Sequence, residues 1–208
     1  MDIILELKKI LRLNHHTFSD TSHLSSQLKV SWISGIIYFI IGIAEVAFEY
    51  YRFVQLEEVS NNFTYITIKV ALFIVLAIFL RGFMILGKMY QNDVLKITSL
   101  YFIVVTALFY TYDIISLYHK SYLYEIVIGA QSAAFGVIGI LFAIGIYTLK
   151  KHSVYLASIT GIFALLTYGC LLTIVLAPIG FILFKPTLIL EIMMLYSVAK
   201  TCKDKSAS

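Results

Sequence analysis

Glu45 and Glu49 stand one helical turn apart within Val30 to Tyr50, a run that is otherwise almost wholly apolar and long enough to cross a bilayer. Carboxylates are costly in hydrocarbon, so they face protein or water rather than lipid. Read along the same helix in steps of three and four, the residues are Ser31, Gly35, Tyr38, Gly42, Glu45, Glu49 and Arg52. The other faces are mostly Ile, Val, Phe and Ala, which leaves one polar seam turned toward protein.

Depth groups further acidic residues with this seam. A helical rise of about 1.5 Å per residue puts Glu45 about 24 Å from Lys29 at one boundary, and Asp113 about 27 Å from Leu95. Both then fall in the outer half of the bilayer under the orientation derived below. Glu49 lies a turn farther out and Glu125 opens the next descending segment. Glu191 sits near the midplane or in the outer half, according to where the last helix starts. The expected chemistry is the binding or passage of a small cation, a proton or a cation-coupled solute. Glu45 and Asp113 are its principal members, with Glu49 and Glu191 supporting. Lys69, Arg52 and Lys185 are the expected charge partners, with Lys120 near an external connection, and only Lys69 is deeply embedded. The competing reading is a set of ion pairs that orient helices, and it is favoured for Glu49, Arg52 and Glu125 because they lie near predicted ends. Arg81 is expected to snorkel toward headgroups.

Other chemistries fail on spacing. His15, His16 and His23 occupy a polar segment without cysteine or acidic partners, so no metal site is expected. There is no HExxH helix, phosphate-binding glycine loop or GxSxG element, and Tyr112-Asp113 lacks a second embedded aspartate. The expectation is a protein without catalytic activity and without a cofactor. Cys170 and Cys202 form neither a disulfide framework nor a metal-ligand pattern. The net charge of +4 reflects loop bias rather than a nucleic-acid surface.

The elements that must position these residues follow from composition. Of 208 residues, 60% are hydrophobic and 13% charged, and the mean hydropathy is +0.90. That composition belongs in lipid. Apolar runs of bilayer length occupy Val30 to Tyr50, Tyr65 to Gly87, Leu95 to Tyr118, Glu125 to Leu149, Val154 to Pro178 and Ile179 to Ala199. In the last pair, Pro178, Gly180 and Lys185-Pro186 either form a tight turn or extend the fifth helix, with a short sixth starting at Pro186. Tyr50, Tyr51, Tyr65, Tyr118, Tyr122, Tyr124, Tyr147, Tyr155 and Tyr196 lie near segment ends, as an aromatic belt would.

Lys8, Lys9, Arg12, Lys29, Arg81, Lys88, Lys96, Lys150, Lys151, Lys200, Lys203 and Lys205 all fall on one side of these spans. The positive-inside rule therefore predicts cytoplasmic termini. The fold class expected is an all-α integral membrane protein with a bundle of six transmembrane helices, at the plasma (cytoplasmic) membrane. Residues 1–29 form a cytoplasmic segment, 30–199 the bundle and 200–208 a basic tail. Ile3, Leu7, Ile10 and Leu11 share a helical face, which suggests either a short amphipathic surface helix or a solvated tail; no cleavable signal is read there. A faint similarity relates Gly82 to Thr98 and Gly145 to Thr160, as common hairpin grammar also would.

Small-residue seams predict close helix packing. In the fourth span Glu125, Gly129, Ser132, Gly136, Gly139 and Ala143 recur at helical spacing, and in the fifth Ala157, Gly161, Ala164 and Tyr168. Ser99, Thr106, Tyr110 and Asp113 align on the third; Gly180, Thr187, Glu191 and Met194 align on the sixth. Lipid is the expected environment, and a second copy or another membrane protein the expected partner. The alternative to transport is a structural, assembly or regulatory subunit whose carboxylates are paired.

Overall fold

The computed structural model describes residues 23–47, 62–116, 124–152, 154–173 and 175–207. They form α1 (His23–Ala47), α2 (Asn62–Met89), α3 (Asp93–Ser116), α4 (Tyr124–Thr148), α5 (Ala157–Leu172) and α6 (Ala177–Ala207). A 3₁₀ turn at Leu149–His152 follows α4. Five of the helices are long and apolar enough to cross a bilayer, while α5 is a shorter apolar helix of 16 residues. Large aliphatic side chains cover the outside of the bundle, among them Ile40, Val46, Leu108, Ile126 and Leu166. An apolar exterior on helices of this length is stable only in lipid, and the chain is a multi-pass integral membrane protein.

The polar seams face inward. On α1, Ser31, Gly35 and Gly42 are buried, whereas Ile36, Ile37, Ile40 and Ile43 are exposed. On α5, Ala157, Gly161, Ala164 and Tyr168 are all buried. Helices α4 and α5 approach closely because α4 has no side chain where α5 passes. A Cβ on Gly136 would lie 2.6 Å from Leu172 Cα, and one on Gly139 would overlap the Tyr168 ring. Ser132 and Ala143 are buried on the same seam and Gly129 is half-buried. A ladder of rings then ties four helices together. Phe83 of α2 packs on Phe142 of α4 at 4.9 Å, Phe142 on Phe102 of α3 at 5.3 Å, and Phe102 on Tyr168 of α5 at 5.5 Å.

The turns join the basic helix ends at one end of the bundle. Gln91, at φ 53°, ends α2 in the left-handed region, and the Asn92 side-chain oxygen accepts the Leu95 N–H at 3.1 Å to cap α3. The Asn92 amide also donates to the Gly145 carbonyl and Thr148 hydroxyl of α4, each at 2.8 Å. Tyr90 packs on His152 at 5.0 Å and interacts electrostatically with Cys202. Ser25 of α1 donates to the Ala199 carbonyl of α6. Lys29, Lys88, Lys96, Lys150, Lys151, Lys200 and Lys203 therefore belong to helix ends and turns on one side of the bundle.

The expectations for the last turn and for Tyr65 are corrected. The turn before α6 lies just beyond Leu172, so neither placement at Pro178 to Pro186 holds. Pro178 fits the first turn of α6, where a missing N–H costs no helical hydrogen bond, and Pro186 lies inside the helix. Gly180 packs against Leu171 and is not a turn residue, since a Cβ there would come within 2.9 Å of that side chain. Tyr65, expected in an aromatic belt, is 5% exposed. Helix α1 begins at His23, which is exposed, and α6 continues through Lys200 to Ala207. The amino-terminal surface helix, His15, His16, Glu49, Arg52 and Lys120 lie outside the described residues, as does the Glu125 side chain.

Candidate functional site

Lys69 is the centre of the polar interior. It lies near the start of α2, on the face carrying buried Tyr65 and Leu72, and is itself 6% exposed. An ammonium at that depth requires anionic partners. Glu45 of α1 supplies one, with its Oε1 at 2.6 Å from Lys69 Nζ. Asp113 of α3 supplies another, its Oδ2 accepting a hydrogen bond from the same nitrogen at 3.3 Å. Two aromatic faces lie beside it: Nζ is 5.2 Å from the centre of the Tyr65 ring and 5.0 Å from that of Tyr110. One cation thus links α1, α2 and α3.

The spacing of the seams explains this convergence. Glu45 is near the end of α1, Lys69 near the start of α2 and Asp113 near the end of α3, so antiparallel helices bring all three to the end of the bundle opposite the basic turns. Tyr110, one turn before Asp113, is coupled to Tyr38 on α1. Tyr38 interacts electrostatically with Glu45, Lys69 and Glu191.

Lys185 approaches from α6 without making an ion pair to Glu45 within contact distance. Its ammonium lies 5.8 Å from the centre of the Phe39 ring and over Gly42, where a Cβ would be 3.2 Å away. Glycine at 42 therefore admits this charge one turn from Glu45, with which it interacts electrostatically. Glu191 stands apart from both lysines. It is about halfway along α6, 4% exposed, and its Oε1 is buried without a hydrogen-bond partner among the described residues. The Thr187 hydroxyl one turn earlier is already engaged, donating to the Leu183 carbonyl at 2.8 Å and pairing with Thr167 of α5 at 2.7 Å.

The structure thus joins Glu45 and Asp113 through Lys69, sets Lys185 beside Glu45, and leaves Glu191 in a separate environment. Sequence reasoning did not assign Tyr65 and Tyr110 to the site. The available signal was an aromatic residue one turn from a charged seam residue, at Tyr65–Lys69 and Tyr110–Asp113. Among the described residues, no group of three or more His, Cys, Asp or Glu side chains could hold a metal ion. Comparison of the chain with protein-family models, curated proteins and solved structures finds no match.

Proposed function

We propose that this protein binds or passes a small cation, a proton or a cation-coupled solute, with Lys69 serving as a built-in cation that the transported charge displaces. The observation that carries the reading is the position of Lys69 Nζ between Glu45 and Asp113, at 2.6 and 3.3 Å. A lysine tether holds two carboxylates together, and an incoming cation or proton satisfies the same oxygens when the lysine withdraws. Lys185, poised over Gly42, offers Glu45 an alternative cationic neighbour. Glu49 is a supporting member and Arg52 a further charge partner, while Glu191, in its separate environment on α6, supports the reading as a second carboxyl.

The associated topology is six crossings with cytoplasmic termini in the plasma membrane, which opens the Lys69 cluster toward the external side. Its support is the collection of basic residues at one end of the bundle. Helix α5 spans about 24 Å at 1.5 Å per residue, and its crossing requires the adjoining turns to enter the headgroup region. The second reading is a non-catalytic structural, assembly or regulatory subunit. The same ion pairing favours it, since Lys69 already compensates two carboxylates from different helices. A second copy or another membrane protein would then be its partner.

A binding measurement separates the two. Melting temperatures of purified protein in detergent, recorded across sodium, potassium and pH series at constant ionic strength with choline as balance, should depend on at least one of these variables. A ligand at a hundredfold excess over Kd stabilises the folded state by about 2.7 kcal/mol. Glu45→Gln and Asp113→Asn should each flatten that dependence. Identical ion and pH responses in the wild type and both variants would refute a site at these carboxylates.

A further inference from the structure

Glu191 is the buried titratable group that the Lys69 cluster leaves unused. Its surroundings distinguish it from the ion-paired carboxylates. Buried Leu188, Met194 and Leu195 share its side of α6, and Thr187 has its hydroxyl committed to Leu183 and Thr167. The titratable groups that interact with it are Tyr38 of α1 and Tyr168 of α5. On α2, which packs beside α6 through Gly82 and Leu195, the embedded charge is Lys69, held by Glu45 and Asp113. Among the described residues, Glu191 Oε1 has no hydrogen-bond donor, and the ion pairs of the interior go to Glu45 and Asp113 rather than to this carboxyl.

We propose that Glu191 is a proton-binding site and that the folded protein holds a proton on this carboxyl at neutral pH. A buried, unpaired carboxylate takes up a proton because the neutral acid loses far less hydration than the anion. A metal ion would need several oxygen ligands arranged around it, whereas a proton needs only the one carboxyl present here. The inference deepens the reading of the preceding subsection, on which it rests only for its use in transport: it names the proton as the coupled species and separates its holder, on α6, from the Glu45–Lys69–Asp113 cluster.

Infrared spectroscopy of the full chain in lipid nanodiscs tests this directly. At neutral pH the wild type should show the C=O stretch of a protonated carboxyl, shifted by uniform ¹³C-glutamate labelling. Glu191→Gln should abolish the band, while Glu45→Gln and Asp113→Asn should retain it. If Glu191→Gln fails to fold, Glu191→Asp in the labelled protein keeps the test intact, because the band should then lose its isotope shift. Absence of a protonated-glutamate band in the wild type, or its persistence in the Glu191 variants, overturns the proposal. The band with inert vesicles would establish the proton site and defeat the transport reading; flux without the band would do the reverse.

Discussion

Lys69 holds two carboxylates whose side chains are 20% and 24% exposed, while its own is 8% exposed. The asymmetry sets what mutation should do. Removing the lysine leaves two like charges near one another in a poorly solvated place. Loss of one partner of a buried pair costs on the order of 3–5 kcal/mol, and partial exposure of these carboxylates lowers that to about 2–3 kcal/mol. Lys69→Met should therefore destabilise the bundle by that amount in thermal or denaturant unfolding. Combining it with Glu45→Gln and Asp113→Asn should recover most of the loss, since neither of these two partners then carries a charge. Additive losses in the triple variant would show that Lys69 acts through packing against Tyr65 and Tyr110 and not through charge. Residues of this kind were partly legible in the sequence. A lysine in an apolar run announces that it needs a partner, but its choice among five acidic candidates depends on helix adjacency, which no local spacing encodes. The unpartnered oxygen of Glu191 was beyond sequence reasoning for the same reason.

Helix packing depends on where glycine removes a side chain. Gly139 of α4 and Gly169 of α5 are similar in sequence setting but opposite in environment, since a Cβ on Gly139 would overlap Tyr168 and one on Gly169 meets nothing within 4 Å. Gly139→Ala should lower the melting temperature, with an overpacking cost of about 1–3 kcal/mol. Gly169→Ala should be neutral or raise stability by up to about 1 kcal/mol, the helix-propensity gain of alanine over glycine. Equal effects of the two substitutions would contradict the close approach of α4 to α5. The fourth-span seam was readable because Gly136, Gly139 and Ala143 repeat at helical spacing. The start of α6 was not, because proline is a breaker in general yet harmless in a first turn, and Pro186 lies inside the helix.

At the scale of the whole molecule, the ends of the bundle differ in chemistry. The Asn92, Tyr90 and Ser25 contacts gather basic turns at one end, and the Lys69 cluster lies toward the other. In a background lacking Cys170 and Cys202, an impermeant thiol reagent should label Lys120→Cys in intact cells and reach Lys150→Cys only after permeabilisation. The reverse pattern would invert the topology and turn the Lys69 cluster toward the cytoplasm. The apolar runs were visible in composition because lipid imposes the same requirement on every outward face. The joining of α1, α2 and α3 through one ammonium was not, because it arises from tertiary packing.

The central claim is that Glu45 and Asp113 act on a moving charge through their own charge. Purified protein reconstituted into vesicles, driven by imposed proton, sodium or potassium gradients, tests it most directly. The wild type should exceed empty vesicles in flux, and Glu45→Gln and Asp113→Asn, which preserve side-chain volume, should each reduce that flux at least about tenfold if removal of the charge raises the barrier by about 1.4 kcal/mol or more. Wild-type flux in both neutral variants, with an unchanged pH profile, would contradict the account, as would a correctly folded wild-type protein that moves no charge under any of the three gradients.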